Sequence, residues 1–189
     1  MAALEGRRVA FLVANEGLEQ VELTQPWAAV SDAGGEPVLV APRGGTVQAY
    51  NHHAPGDGFA VDVPLRDAEV DAFDALVLPG GVVNADELRT VPAAVRFTHE
   101  LADAGKPIAV ICHGPWTMID AGLVRDRTLT SWPSLRTDIM NAGGEWVDRD
   151  VVVDRNRVNT IVSSRKPDDL PRFCAELVKV FAAAPAAAR

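Results

Sequence analysis

The sequence predicts an α/β protein built as a layered sheet with helices on both faces, and three observations lead there. Short continuous apolar runs, Val9 to Ala14, Phe73 to Leu78 and Ile108 to Ile111, suit strands buried on both sides. Segments of helical spacing follow them, closed by glycines such as Gly34-Gly35 and Gly105. Strand and helix then alternate almost throughout the chain, the pattern of a sheet sandwiched by helices.

Taken in order, Val9-Ala-Phe-Leu-Val-Ala14 is the first strand, and Glu19 to Ala33, with Val21, Trp27, Ala28 and Val30, is the first helix. Pro37-Val-Leu-Val-Ala41 reads as the second strand of a parallel pair. Arg43 to Val63 breaks the rhythm: glycine-rich turns, His52-His53 and the alternating Phe59-Ala-Val-Asp-Val63 predict a small antiparallel hairpin appended to the sheet. Phe73 to Leu78 is a buried strand closed by Pro79-Gly80-Gly81, followed by a helix from Pro92 to Ala104. Ile108 to Ile111 runs straight into Cys112-His113-Gly114-Pro115-Trp116. Helices over 117–121 and 134–141, strands over 151–153 and 158–162, and a last helix over 168–184 complete the chain. One domain is expected over 1–189, with its core at about 8–181 and an alanine-rich tail at 182–189.

A chain of 189 residues is long enough to bury roughly 70% of the surface its unfolded form exposes. With 18 basic against 26 acidic residues the formal charge is −8, and Arg7-Arg8 is the longest basic run, so nucleic acid and membrane are poor partners. That arginine pair before Val9 has the look of an export signal, but the apolar run ends after six residues, short of the roughly 7–15 a signal core needs. The expected location is cytoplasmic, where two cysteines remain reduced.

Those cysteines read differently. Cys174 belongs to Leu170, Phe173, Cys174, Leu177, Val178 and Phe181, the i, i+3, i+4, i+7 stripe of a helix packed on a core. Cys112 instead ends a buried strand just before a helix, with Gly114 two positions on: a tight strand-to-helix turn that lifts one side chain off the sheet edge. Backbone N–H groups at a helix start favour an anion, which predicts a thiol lowered from about 8.5 toward roughly 3.5–7.5. A cysteine that merely ends a strand is the simpler alternative.

Four blocks carry a resemblance: Glu19-Gln-Val-Glu-Leu-Thr24, Leu76-Val-Leu-Pro-Gly-Gly81, Ala109-Val-Ile-Cys-His-Gly-Pro-Trp116, and Asp138-Ile-Met-Asn-Ala-Gly143 with Glu145-Trp-Val-Asp148. In this order, from about Arg8 to Phe181, the chain resembles the PfpI family of intracellular cysteine hydrolases and stress proteins. That family lies in the class I glutamine amidotransferase-like superfamily and is related to the Parkinson-associated deglycase. The resemblance implies a flavodoxin-like three-layer sandwich, assembly as a dimer or larger homo-oligomer, and peptide or carbonyl-adducted amine substrates. It further implies that Cys112 is the elbow nucleophile, that His113 is its neighbouring histidine, and that Glu22 approaches the sulfur in protonated form. Gly81 and His113 match the backbone donors of an oxyanion hole. Glu19, one turn from Glu22, either faces the site or is an exposed helix charge. The family takes a triad acid from an adjacent subunit, usually Glu; the counterpart here is Asp86, with Glu87 as its rival one residue on. An alternative role for the same thiol is redox sensing through oxidation of Cys112 in a chaperone-like stress protein.

The four histidines, 52, 53, 99 and 113, exclude one relative's chemistry. A glutamine amidotransferase takes its histidine from far downstream of the nucleophile, and none stands there. His99 reads as a solvated helix residue, and His52-His53 could line a pocket or an interface. Neither has partners at metal-ligand spacing, so no metal is expected. No glycine-rich nucleotide loop is present, and no cofactor is expected.

Overall fold

The computed structural model describes residues 2–185. The chain begins with β1 (Arg8–Leu12), β2 (Glu16–Glu19), α1 (Gln20–Asp32), β3 (Glu36–Ala41), β4 (Thr46–Asn51), β5 (Ala54–Ala60) and β6 (Val63–Pro64). It continues through β7 (Ala75–Leu78), α2 (Val82–Arg89), α3 (Pro92–Asp103), β8 (Ile108–Ile111), α4 (Pro115–Asp120) and β9 (Thr128–Leu129). It closes with α5 (Arg136–Asn141), β10 (Glu145–Trp146), β11 (Val151–Asp154), β12 (Ile161–Ser164) and α6 (Leu170–Ala183). The expected alanine-rich tail lies partly outside the described residues, at 186–189.

Seven strands form the central sheet in the order β11-β12-β8-β7-β1-β3-β6. All neighbours run parallel except β11, which pairs antiparallel with β12 at one edge. Side chains alternate along each strand, so β1 sends Val9 and Phe11 to one face and Ala10 and Leu12 to the other. The first face packs on α1 and α6, where Phe173, Leu177 and Phe181 supply the predicted stripe. The second packs on α3 through Phe97 and Leu101. Burying each such side chain contributes about 1.5–3 kcal/mol, and both faces must be covered because the strands carry no polar side. This is the layered sheet that the strand and helix alternation predicted, and the flavodoxin-like sandwich that the family resemblance implied.

From β1 the chain crosses to β3 on one side, whereas β7 leads to β8 on the other. The connections diverge between β1 and β7, and the carboxyl ends of the strands at such a divergence are the usual ligand position in open α/β sheets. The loops after β1, β7 and β8 meet at this edge.

Three readings need correction. The hairpin of β4 and β5 is antiparallel as expected, but it is not appended to the central sheet; it pairs with β2 in a separate three-stranded sheet. The central edge it would have used is taken by β6, whose Val63 and Pro64 pair with Val40 and Ala41 of β3. The strand expected over 158–162 begins only at Ile161, because Asn159 is drawn inward by Arg127 while Val158 stays 75% exposed. Helix α2 was not anticipated, since Asn84 and Asp86 interrupt its apolar pattern.

Arg127 is the largest of the fully buried side chains. It donates to Asp154 Oδ1 at 2.9 Å and to the Asn159 carbonyl at 3.2 Å, and Asp154 Oδ2 accepts the Thr128 N–H at 3.0 Å. The network staples the antiparallel edge strand to β9. Arg127→Ala leaves a buried carboxylate without its cation and should lower the unfolding free energy by about 3–5 kcal/mol in urea titrations. Lys179→Ala, which removes only an exposed pair with Glu176, should leave the midpoint in place.

Candidate active site at the strand-to-helix elbow

Cys112 follows β8 directly and stands in the left-handed region, at φ +61°. For a residue with a side chain this conformation costs on the order of 1–3 kcal/mol, and it persists because the surroundings hold it. The Cys112 N–H donates to the Ser164 carbonyl at 3.1 Å, and its own carbonyl accepts the Trp132 N–H at 3.0 Å. Gly114 permits the turn: a Cβ there would stand 2.7 Å from the Leu78 carbonyl oxygen and 2.8 Å from Val110 Cγ2. The loop after β7 presses on the same point. A Cβ on Gly80 would lie 2.6 Å from Cys112 Cβ and would collide with Glu22 Oε2. Gly81, at φ +94°, has no room for a side chain beside the Gly17 carbonyl.

The structure gathers Cys112, His113, Glu22 and the Gly81 backbone at one point. His113 Nδ1 is 3.2 Å from Cys112 Sγ. The backbone N–H groups of Gly81 and His113 both hydrogen-bond the sulfur. Glu22, in the first turn of α1, is fully buried, and its Oε2 accepts the Gly80 N–H at 2.8 Å. The Cys112 thiol lies against this carboxyl, whose Oε1 is otherwise buried without a partner.

Burial dominates the electrostatics. It pushes the Glu22 carboxyl up to about 8; the Gly80 N–H and the Cys112 thiol pull against it, and the Glu19 carboxylate adds to the rise. It lowers His113 to about 4, so the imidazole is neutral at neutral pH and able to accept a proton. The thiol overturns the expectation of a depressed value: burial pushes it up, the Glu22 charge adds to this, and the Gly81 and His113 amides only oppose them. The reason is that Cys112 is only 7% exposed and lies against a buried carboxyl. The two acids form a coupled pair. When Glu22 keeps its proton its charge no longer opposes ionisation of the sulfur, and its hydroxyl can donate to a thiolate.

The other expected residues scatter. Asp86 and Glu87 lie exposed on α2, and within the chain neither hydrogen-bonds or ion-pairs with His113. Glu19 ends β2, and its carboxylate accepts the His52 N–H at 3.2 Å; His52 and His53 sit exposed at the hairpin tip. His99 pairs with Asp103 at 3.2 Å on α3. Cys174 is half-buried on α6, its thiol pushed up to about 11 by that burial. Among the described residues no group of three or more His, Cys, Asp or Glu is placed to hold a metal.

Sequence reasoning missed the indoles and one amide. Trp132, 39% exposed, stacks on His113 with ring centres 5.9 Å apart, and Trp116 packs on the same imidazole at 5.2 Å. The tryptophans stand in the chain without a spacing that announces a site. Asn84 is fully buried; its Oδ1 accepts the Ala14 N–H at 2.7 Å, and its Nδ2 donates to the Gly80 carbonyl at 2.9 Å, tying the ends of β1 and β7 together.

A pH titration of stability checks the electrostatics. Glu22 holds its proton more tightly folded than unfolded, so its contribution is full below about 4.5 and is lost as pH rises through about 8. His113 works the other way, its contribution present above about 6.5 and lost as pH falls through about 4. Glu22→Gln should therefore flatten the decline of the wild type above neutral pH, measured by urea melts across the range; an undiminished decline would place its cause elsewhere.

Comparison with known proteins finds relatives along nearly the whole chain. The DJ-1/PfpI family profile matches residues 7–180. Deglycase PH1704 of Pyrococcus horikoshii is 40% identical over 174 residues, covering 92% of this chain and 99% of its own length. Protein/nucleic acid deglycase 2 of Escherichia coli is 36% identical over 178 residues, 94% of this chain and 99% of that protein. A crystal structure of a two-domain protein from Anabaena variabilis, with DJ-1/ThiJ/PfpI-like and ferritin-like domains, superimposes with a TM-score of 0.83 at 31% identity, over 92% of this chain and 49% of that one. The profile spans most of the chain and these relatives align over nearly all of it: the chain belongs to the DJ-1/PfpI family.

Proposed function

We propose that the chain is a cysteine-dependent hydrolase of the deglycase or peptidase type, acting on carbonyl-adducted amines or peptides. The observation that carries this is the 3.2 Å approach of His113 Nδ1 to the Cys112 sulfur, beside two backbone donors. A neutral imidazole takes the thiol proton as the sulfur attacks the carbonyl carbon. The carbon–sulfur bond forms, the carbonyl electron pair moves to oxygen, and the Gly81 and His113 N–H groups receive that charge. With a peptide, the oxyanion pair re-forms the carbonyl as the carbon–nitrogen bond breaks and His113 returns its proton to the departing amine; water then cleaves the carbon–sulfur bond, leaving a carboxylic acid and the free thiol. Glu22, keeping its own proton, holds the thiolate by a hydrogen bond. The deglycase names of the relatives favour glycated amines as one substrate class.

A second copy of the chain completes the arrangement in this reading. Among the described residues the hydrogen-bond partner of His113 Nε2 is Ser134 Oγ, at 3.5 Å, and no acid there orients the ring. Asp86 and Glu87 lie exposed on α2 beside Val82 and Val83, apolar side chains 54% and 51% exposed next to Gly81. An α2 carboxylate delivered across a dimer interface would serve, in the manner the sequence resemblance implies.

Cys112→Ala should abolish turnover of a glycated amine or a fluorogenic peptide while Cys174→Ala leaves it near wild type; equal activity in both removes the mechanism. Asp86→Ala and Glu87→Ala, assayed separately, should divide into one impaired and one normal enzyme, and a monomer enforced by dilution should be inactive. A fully active monomer rules out the shared triad.

One feature favours a second reading, redox sensing. A protonated Glu22 beside the sulfur can donate to an oxygen of a Cys112 sulfinate as readily as to a thiolate. Peroxide titration with intact-mass analysis separates the two: a stable gain of two oxygen atoms at low peroxide, without turnover, favours sensing.

A further inference from the structure

The peptide between Gly80 and Gly81 is the piece of the site with the least hold of its own. Its carbonyl belongs to Gly80 and its N–H to Gly81, and in a trans peptide the two point in opposite directions. Glycine on both sides leaves it free to turn over, because neither flanking torsion meets a Cβ. Crowding imposes the first of those glycines: a Cβ on Gly80 would stand 2.6 Å from Cys112 Cβ and 3.1 Å from the His113 nitrogen. As the peptide stands, its N–H faces the sulfur. Turned over, it would present a carbonyl oxygen to the negative charge that forms there. A group outside the loop must therefore choose the face.

We propose that Asn84 is a positioning residue that makes this choice, fixing through its side-chain amide the face that the peptide between Gly80 and Gly81 turns toward a developing oxyanion. This rests on the reading of Gly81 and His113 as the oxyanion donors and adds the group that aims one of them. Asn84 stands in the first turn of α2, fully buried, with its amide bonded to three backbone groups. Its Oδ1 accepts the Ala14 N–H at 2.7 Å, which anchors it to the chain leaving β1. Its Nδ2 donates to the Gly80 carbonyl at 2.9 Å and to the Pro79 carbonyl at 3.2 Å. No other orientation of the amide satisfies all three, since one partner is a donor and two are acceptors. Each held carbonyl leaves the N–H of its own peptide on the opposite side: the Gly80 N–H meets Glu22 Oε2 at 2.8 Å, and the Gly81 N–H meets the sulfur. The Glu19 N–H adds a longer bond, of 3.3 Å, to the same Gly80 carbonyl. One side chain thus sets two consecutive peptides from behind. A donor fixed in advance needs no reorganisation when charge develops, and that is what the buried amide contributes to rate.

The test compares two reactions of Cys112 in a Cys174→Ala background. Attack on the carbonyl of a fluorogenic peptide or a glycated amine builds an oxyanion, whereas alkylation by iodoacetamide, at a saturated carbon, builds none. Asn84→Leu keeps the bulk and removes all three hydrogen bonds; kcat should fall roughly tenfold or more, with KM and the alkylation rate each within about threefold of the parent. At about pH 5, Asn84→Asp keeps the acceptor for Ala14 and, as a buried protonated acid, a donor for the Gly80 carbonyl. Its kcat should return to within about threefold of the parent at the same pH. Equal losses in kcat and alkylation, or an Asn84→Asp enzyme as slow as Asn84→Leu, overturn the proposal and leave Asn84 a purely structural part. A measurement on the parent alone covers variants that do not fold. A peptide aldehyde adds to Cys112, the carbon–sulfur bond forming as the thiol proton passes to the aldehyde oxygen, and the Gly81 amide proton should then move downfield in the NMR spectrum. An unmoved Gly81 signal with the aldehyde bound also overturns the proposal. Any of these failures in a parent that turns over its substrate leaves the proposed hydrolysis standing, whereas a parent inert to the substrates and to the aldehyde removes both.

Discussion

The site depends on one contact, a carboxyl buried against a sulfur. Glu22 is wholly removed from water beside Cys112, and neither group can ionise there without involving the other. Placing a carboxylate in such a position costs several kcal/mol, so the proton stays on the acid up to about 8. That single constraint explains why the thiol is not simply acidic. The elbow amides favour its anion, but burial works against it first and the Glu22 charge adds to that opposition, which is lifted when Glu22 is protonated.

The architecture around that contact keeps it from relaxing. Gly80 lies between Glu22 and Cys112 with no space for a Cβ, so its N–H can reach the carboxyl while its carbonyl is held by Glu19 and Asn84. Asn84 extends the bracket to the end of β1. The strained φ of Cys112 is clamped between Ser164 and Trp132. Each of these groups comes from a different segment, and they meet because the connections diverge between β1 and β7 at the carboxyl edge of the sheet.

Much of this was legible beforehand, and the reason is local. Apolar runs such as Ile108 to Ile111 can only be strands covered on both faces, the Cys174 stripe can only be a helix against a core, and a cysteine between a strand and a glycine marks a tight turn. The misreadings share a different cause. The hairpin partner was β2, a four-residue strand containing glycine, which pairs with β4 in a separate sheet while β6 takes the central edge. Helix α2 escaped because its buried Asn84 is there to satisfy backbone groups, which no hydrophobic periodicity reports. Arg127 looked like one charge among many and proved to be a buried cation, since its partners Asp154 and Asn159 are far along the chain.

By itself the sequence determined the layered fold, the elbow at Cys112 and the division of labour between the two cysteines, because each follows from neighbours within a few residues. Only the tertiary structure decided the charge state of the site. Whether a thiol or a carboxyl ionises is set by how much water reaches it and which dipoles and charges surround it, and those come from α1, the β7 loop and the elbow after β8 together. Desolvation is a property of the assembled fold, and no order of residues states it in advance.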